Sequence, residues 1–309
     1  LSRRKRRKTL IQKGKTMDVA LLGYGYWGQI IEKYIHKSPT MNLKKIYVRS
    51  MQKHEGDIFT DDLNSIMHAS EIEAVFICLP SSLHYDICKM ALQSNKHVFC
   101  EKPLVKYNQN HQELVELAQN KQKVLFTDYI YTVSPSIQLI KERLHLLGNI
   151  CLIEGQLLQF GKFYQGDSIW ENIGIHLVSV ICTWFPDIQI EKIQRTGHKN
   201  VHGQIESVLL EDAHGMQVKL ECSLLCPQKK RCIYIYGEKG SICFDMLDPD
   251  ATIRQNLYEL NQGGCELQST RSWKYDEQNN LVHAISFFEA FIRSENYQSN
   301  LHISQKVHR

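Results

Sequence analysis

Six residues constrain this chain more than any others: Gly23-Tyr24-Gly25-Tyr26-Trp27-Gly28, a full G-x-G-x-x-G that follows directly on the apolar run MDVALL (17–22). At a strand-to-helix turn each glycine has its own physical use. The first permits the tight turn, the second lets a pyrophosphate approach the backbone, and the third lets helix and strand pack closely. Free N–H groups and the dipole at the helix start then favour phosphate charge. The rest of the first half supplies the context that this motif needs. LKKIYV (43–48), AVFICL (74–79), HVFC (97–100) and VLFT (124–127) read as strands, and between them lie helical stripes such as Ile30, Ile31, Tyr34 and Ile35, or Leu83, Ile87, Cys88 and Ala91. Short strands alternating with helices specify an α/β fold, here a Rossmann doubly wound parallel sheet over residues 17–127.

After residue 127 the pattern changes. A helix is expected at about 135–147, with Ile137, Ile140, Leu144 and Leu147 on one face and Gly148 as its C-terminal cap. Longer strands follow at 150–160, 204–211, 216–225, 231–237 and 241–245, interrupted by a helix near 174–185 and followed by one striped with Leu281, Ile285, Phe288 and Ile292. This predicts a second, α+β domain over 128–309 with a large, mostly antiparallel sheet, and a cleft between the two domains. After residue 300 only nine residues remain, and the reading takes the last helix as clipped.

The net charge of +4 raises the question of a nucleic-acid partner, but the excess is local. Arg3, Arg4, Lys5, Arg6, Arg7, Lys8, Lys13 and Lys15 crowd residues 1–16 without an acid, and without those eight the rest of the chain carries −4. The expectation is a disordered or non-native leader with Met17 as the start, and no nucleic-acid partner. No apolar run approaches the roughly 20 residues of a membrane helix. Ten cysteines at irregular spacing read as reduced thiols in a cytoplasmic protein. Cys222, Cys226 and Cys232 lack a C-x-x-C pair, so no metal is expected.

An NAD-selective second strand usually ends in an acid that bonds the ribose 2′-hydroxyl. This chain has Arg49 and Ser50 there, a charged fork and a hydroxyl suited to a 2′-phosphate. The residues lean towards NADP and leave NAD open.

At this point the sequence resembles the family of glucose-fructose oxidoreductase, inositol dehydrogenase and MocA (Gfo/Idh/MocA). MDVALLGYGYWG is similar to that family's opening, LPSSLHYDICKMALQSNKHVFCEKPL to its segment from the third strand to Glu-Lys-Pro, and CPQKKRCIYIYGEKGSICFD to its second-domain meander. The resemblance implies that Leu79, Pro80, His84, Glu101 and Lys102 lie on the cofactor side with the glycine loop, and that Lys102 also meets the reacting hydroxyl. A cation there stabilises developing alkoxide. SIWENIGIHLVSVICTWF resembles the family's Asp-x-x-x-His stretch, which makes His176 the expected acid/base. Asn172 stands where the family has Asp and supplies no negative charge; Glu171 would replace it only if the backbone shifted by one residue. Tyr129, Tyr131, Tyr164 and Trp170 are the substrate-side candidates for stacking on a ring.

The resemblance implies an NAD(P)-dependent oxidoreductase acting on a sugar, inositol or nucleotide-sugar, closest to members of surface-polysaccharide synthesis, and a homodimer or homotetramer. The alternative is a weakened or inactive dinucleotide-binding sensor, because of Asn172.

Overall fold

The structure, a computed structural model, describes residues 16–106, 109–161, 163, 167–200, 203–261, 264–276 and 279–307. The leader residues 1–15 and Tyr164 lie outside them. Strands β1 (Met17–Leu22), β2 (Met41–Tyr47), β3 (Phe59–Thr60), β4 (Ala74–Ile77), β5 (His97–Cys100) and β6 (Leu125–Thr127) form one parallel sheet in the order β3-β2-β1-β4-β5-β6. A strand covered on both faces needs apolar residues on both. β1 and β4 meet that condition, with Val19, Ala20, Leu21, Leu22 and all of Ala74–Ile77 buried.

Helix α1 (Tyr26–Lys37) covers one face of the sheet. Helices α2 (Leu63–His68), α3 (His84–Gln93) and α4 (His111–Asn120) cover the other. The order reverses direction between β1 and β4, the place where open α/β sheets leave a crevice at their carboxyl ends.

The expected helix at 135–147 divides into α5 (Pro135–Lys141), capped by the Ser134 side chain, and a 3-10 turn at Leu144–Leu147. Beyond it come β7 (Ile150–Phe160), α6 (Ile175–Trp184), β8 (Ile190–Asn200), β9 (Gly203–Asp212), β10 (Gln217–Ser223), β11 (Leu225–Gly237), β12 (Gly240–Asp245), β13 (Thr252–Asn261) and β14 (Gly264–Lys274). These strands build a second sheet in the order β14-β13-β12-β11-β7-β10-β9-β8, in which only the β7–β10 pair is parallel. Leu177, Val180, Ile181 and Trp184 of α6, with Ile137 and Ile140 of α5, pack on one face of it.

Four strands have no counterpart in the sequence reading: the two-residue β3 of the first sheet, and β8, β13 and β14 of the second. β14 buries none of its residues, so backbone pairing rather than an apolar alternation holds it.

The chain then returns to the first sheet. In α7 (Asn280–Arg293), Leu281, Ala284, Ile285 and Phe288 join the core beside α1, and the Phe288 ring meets Phe76 and Phe99 edge-on. The last residues form a helix, α8 (Leu301–Val307), lying on β6 and α6. Just before it the Asn300 side chain accepts from the Thr127 N–H at 3.1 Å and donates to the Thr127 carbonyl at 2.7 Å. β6 is an edge strand, and this amide occupies hydrogen-bonding groups that an edge otherwise leaves open. Removing it by Asn300→Ala is expected to cost about 1–3 kcal/mol, because a buried donor and acceptor are orphaned. The check is a lower denaturant midpoint together with faster hydrogen exchange at the Thr127 amide.

Candidate functional site

The glycine loop follows β1 at the crevice. Gly23 has φ +101°, and a Cβ there would lie 2.7 Å from the Cys78 carbonyl oxygen; one at Gly28 would lie 2.1 Å from the Gly23 oxygen. Both positions are closed to any side chain. At Gly25, by contrast, a Cβ meets no atom within 4 Å, so open space lies where a ligand would approach the backbone. Helices α2, α4 and α5 have their first turns capped by Asp62, Asn110 and Ser134, whereas the N-cap of α1 is Gly25 and carries no side-chain bond. No side chain thus caps the first turn of α1, an arrangement that fits a pyrophosphate.

Arg49 is exposed past the end of β2, and the Ser50 hydroxyl accepts from the Gln52 N–H at 3.4 Å. Tyr24 donates to Glu32 at 2.7 Å and packs on His54 and Phe59.

The other strand ends complete this edge. Leu79 and Pro80 follow β4, Glu101 and Lys102 follow β5, and the Lys102–Pro103 peptide is cis. His84 is buried beneath them with its Nδ1 2.7 Å from the Pro103 oxygen and its Nε2 2.8 Å from the Leu79 oxygen. It therefore ties the two loops together and leaves no ring nitrogen for a ligand. Burial, the larger effect, pushes its pKa down, while the two carbonyls favour the protonated ring.

From the second domain, a π-helical turn at Trp170–Gly174 leads into α6. Its carbonyls meet the Lys102 ammonium, which donates to the Asn172 oxygen and lies 3.5 Å from the Glu171 oxygen. Lys102, Asn172 and His176 thus come together, lining with Tyr26, Trp27 and Asp128 a cavity of about 620 Å³. That lies within the range of small-molecule sites, roughly 300–1,000 Å³. Arg231 of β11 lines the far side and donates to the Tyr131 hydroxyl at 3.0 Å. Tyr131 in turn sets its ring edge against His176, with centroids 5.0 Å apart.

Electrostatics divides these groups. Burial pushes the Lys102 pKa down, against the pull of Glu101, Asp167 and Asp128. Burial raises the Glu101 carboxyl to about 7, and it raises Asp128 well above the carboxylate range, with the Glu101 charge adding to the effect. His176 is pushed well below its usual value by burial and by the cations Lys102 and Arg231.

Several expectations need correction. Asn172 reaches Lys102 through its backbone carbonyl, a contact that does not depend on its side chain. Glu171 turns its carboxylate to the Ser168 N–H at 2.8 Å and to Lys106 at 3.8 Å, away from the position proposed for it. Tyr129 is a core residue, 1% exposed, with its hydroxyl donating to Ser304 and its ring among Ile175, Cys182 and Ile303. Trp170 donates to Glu206 and packs over Gly174, where a Cβ would lie 2.1 Å from its ring. Tyr131 alone of the described substrate-side candidates lines the cavity.

The sequence reading missed Asp128, Arg231 and the exposed Phe160, all of which line the cavity. Asp128 left a signal, a charge directly after a buried strand at the carboxyl edge. Arg231 and Phe160 left none, because nothing in a strand pattern says which residues meet another domain. Among the described residues no cluster of three or more His, Cys, Asp or Glu side chains is placed to hold a metal, and no helix is long and apolar enough to cross a membrane.

The fold and this edge define a two-domain protein with a dinucleotide-type crevice. Residues 17–129 match the model of the Gfo/Idh/MocA oxidoreductase family, described as an NAD-binding Rossmann fold. Among curated relatives, levoglucosan dehydrogenase of Pseudarthrobacter phenanthrenivorans is 21% identical over 56% of this chain and 56% of its own. D-glucoside 3-dehydrogenase of Escherichia coli is 27% identical over 47% of this chain and 46% of its own. The chain thus spans about half the length of these relatives. Among solved structures, UDP-N-acetylglucosamine 3-dehydrogenase GnnA from Acidithiobacillus ferrooxidans superposes with a TM-score of 0.81 at 16% identity, over 95% of this chain and 94% of that one. A likeness at that identity establishes the shared architecture.

Glu101 makes the site visible in stability. Its pKa rises from the ordinary 4.5 to about 7 on folding, so the folded protein holds a proton that the unfolded chain has released. That contribution is complete below about pH 4.5 and lost as pH rises through about 7. Denaturant midpoints across this window are expected to fall with rising pH, and Glu101→Gln to flatten the slope.

Proposed function

We propose that the chain is an NAD(P)-dependent oxidoreductase that transfers hydride to or from a carbinol carbon of a sugar, inositol or nucleotide-linked sugar. The observation that carries the reading is the convergence of Lys102, from the sheet edge, and His176, from the second domain, on one cavity reached by Tyr26 and Trp27 of the glycine loop. The backbone of Gly23–Gly28 would hold the pyrophosphate at the start of α1. Arg49 and Ser50, exposed past the end of β2, would hold a 2′-phosphate on the adenine ribose, hence NADP over NAD. Leu79, Pro80 and Glu101 border the nicotinamide side.

When bound, the nicotinamide ring supplies the hydride acceptor or donor. Lys102 sets its ammonium against the substrate oxygen and stabilises alkoxide character in the transition state. The carbonyls of Glu171 and Asn172 aim that ammonium, and His176 hydrogen-bonds the same oxygen. Tyr131, Arg231 and Phe160 bound the substrate end, where a ring stacks and a polar or anionic substituent meets the guanidinium. A dimer or tetramer would cover the outer face of the second sheet, where Tyr236 is exposed.

The test begins with titration of NADH and NADPH, read by nicotinamide fluorescence. Gly25→Val, at a position with open space, is expected to leave the fold intact and weaken binding more than tenfold. Lys102→Met is expected to lower kcat by about 10²–10³ with dinucleotide affinity nearly unchanged. Absence of dinucleotide binding defeats the proposal. Binding without turnover, unaltered by Lys102→Met, returns the chain to the sensor alternative.

A further inference from the structure

Asp128 is the first residue past β6, and its amide is anchored to the Cys100 carbonyl at 2.8 Å. Its side chain is 3% exposed, lines the cavity with Lys102 and His176, and has in Oδ1 a buried oxygen without a hydrogen-bond partner among the described residues. A buried carboxylate oxygen that bonds to nothing in the protein costs stability unless something in the cavity meets it. His176 has the complementary defect. Its Nδ1 is also buried without a partner, so no carboxylate orients the ring or offsets an imidazolium, and Lys102 and Arg231 both oppose that charge.

We propose that Asp128 exchanges the proton with the substrate oxygen, while His176 positions that oxygen as a neutral ring. The inference rests on the oxidoreductase reading above and changes the group that handles the proton. In oxidation, the carbon–hydrogen electron pair leaves with hydride to the oxidised nicotinamide, the carbon–oxygen double bond forms, and the hydroxyl proton passes to an Asp128 oxygen. In reduction each transfer reverses, and the carboxyl returns the proton to the oxygen.

Lys102 stands beside both partners and steadies the carboxylate as well as the alkoxide. Burial and the neighbouring Glu101 charge make Asp128 a far better proton holder than an ordinary aspartate, and the same pocket makes His176 a poor one. The charged and titratable groups around Asp128 are Glu101 and Lys102 from the end of β5, Cys78 from that of β4, His176 from α6 and Arg231 from β11.

Reduction therefore draws on the protonated carboxyl and is expected to slow as pH rises, whereas oxidation needs the carboxylate and is expected to slow as pH falls. The first experiment needs no substrate: infrared difference spectra of the full protein against Asp128→Asn, recorded from pH 5 to 9. Glu101→Gln removes the other raised carboxyl, and in that background a protonated-carboxyl band near neutral pH that disappears when Asp128→Asn is added supports the assignment. Absence of the band from Glu101→Gln, or its survival in the double variant, overturns it.

The second experiment measures pH–rate profiles on whichever of UDP-N-acetylglucosamine, levoglucosan or a methyl glucoside the protein turns over. Asp128→Asn is expected to lose about 10²–10⁴-fold in kcat along with the pH limb. His176→Asn is expected to raise KM and keep the limb. If NADPH and NADH bind the wild type and Asp128→Asn alike but the limb persists without Asp128, the Asp128 assignment alone falls. If neither dinucleotide binds the wild type, the oxidoreductase reading falls and takes this inference with it.

Discussion

The candidate site depends on one half-buried ammonium. Lys102 leaves the carboxyl edge of the first sheet and ends against the carbonyls of a helical turn that belongs to the second domain. A charge that has lost much of its hydration is tolerable only where dipoles and polar groups surround it. Here both domains contribute: the π-helical turn presents its carbonyls, and the carboxyl groups of Glu101, Asp167 and Asp128 stand around the ammonium and favour its charge. Neighbouring contacts reinforce the seam, since Asp167 takes Ser81 at 3.0 Å and also Lys106. The cavity is therefore a property of the docked pair of domains.

Much of this architecture was legible from residue order. Buried strands of a parallel sheet must be apolar on both faces, so MDVALL and HVFC announced themselves with the right ends. The second sheet was legible only where one face meets α5 and α6. Its outlying strands β8 and β14 are polar and exposed, and a strand held by backbone pairing leaves little trace in side-chain pattern. The tail misled for a different reason. LHISQKV is too short to register as a helix alone, and it forms one because Asn300 and Ser304 dock it on β6.

The site divides along similar lines. Residues on the crevice edge follow from strand ends, and Gly23–Gly28, Glu101 and Lys102 stand where that rule puts them. Residues whose place depends on tertiary packing did not follow. Tyr129 and Tyr131 are two positions apart, yet one is sealed in the core and the other lines the cavity. The missing Asp at position 172 looked like a deficit of charge, but the carboxylates of the pocket enter from the opposite domain. Local sequence around His176 carries no information about Asp128, because the two share only three-dimensional space.

The return of the chain to its first sheet has a consequence for biosynthesis. Until α7 emerges, the face that buries Phe76, Phe99 and Phe126 is covered by α1 alone, and the edge at β6 lacks the Asn300 amide. A nascent chain released only as far as residue 276 would display aromatic surface and an unpaired strand, both of which attract holdase chaperones. The Rossmann unit therefore cannot mature ahead of the remainder, although it is written first. Helices that follow the second sheet in the chain close the domain that precedes it.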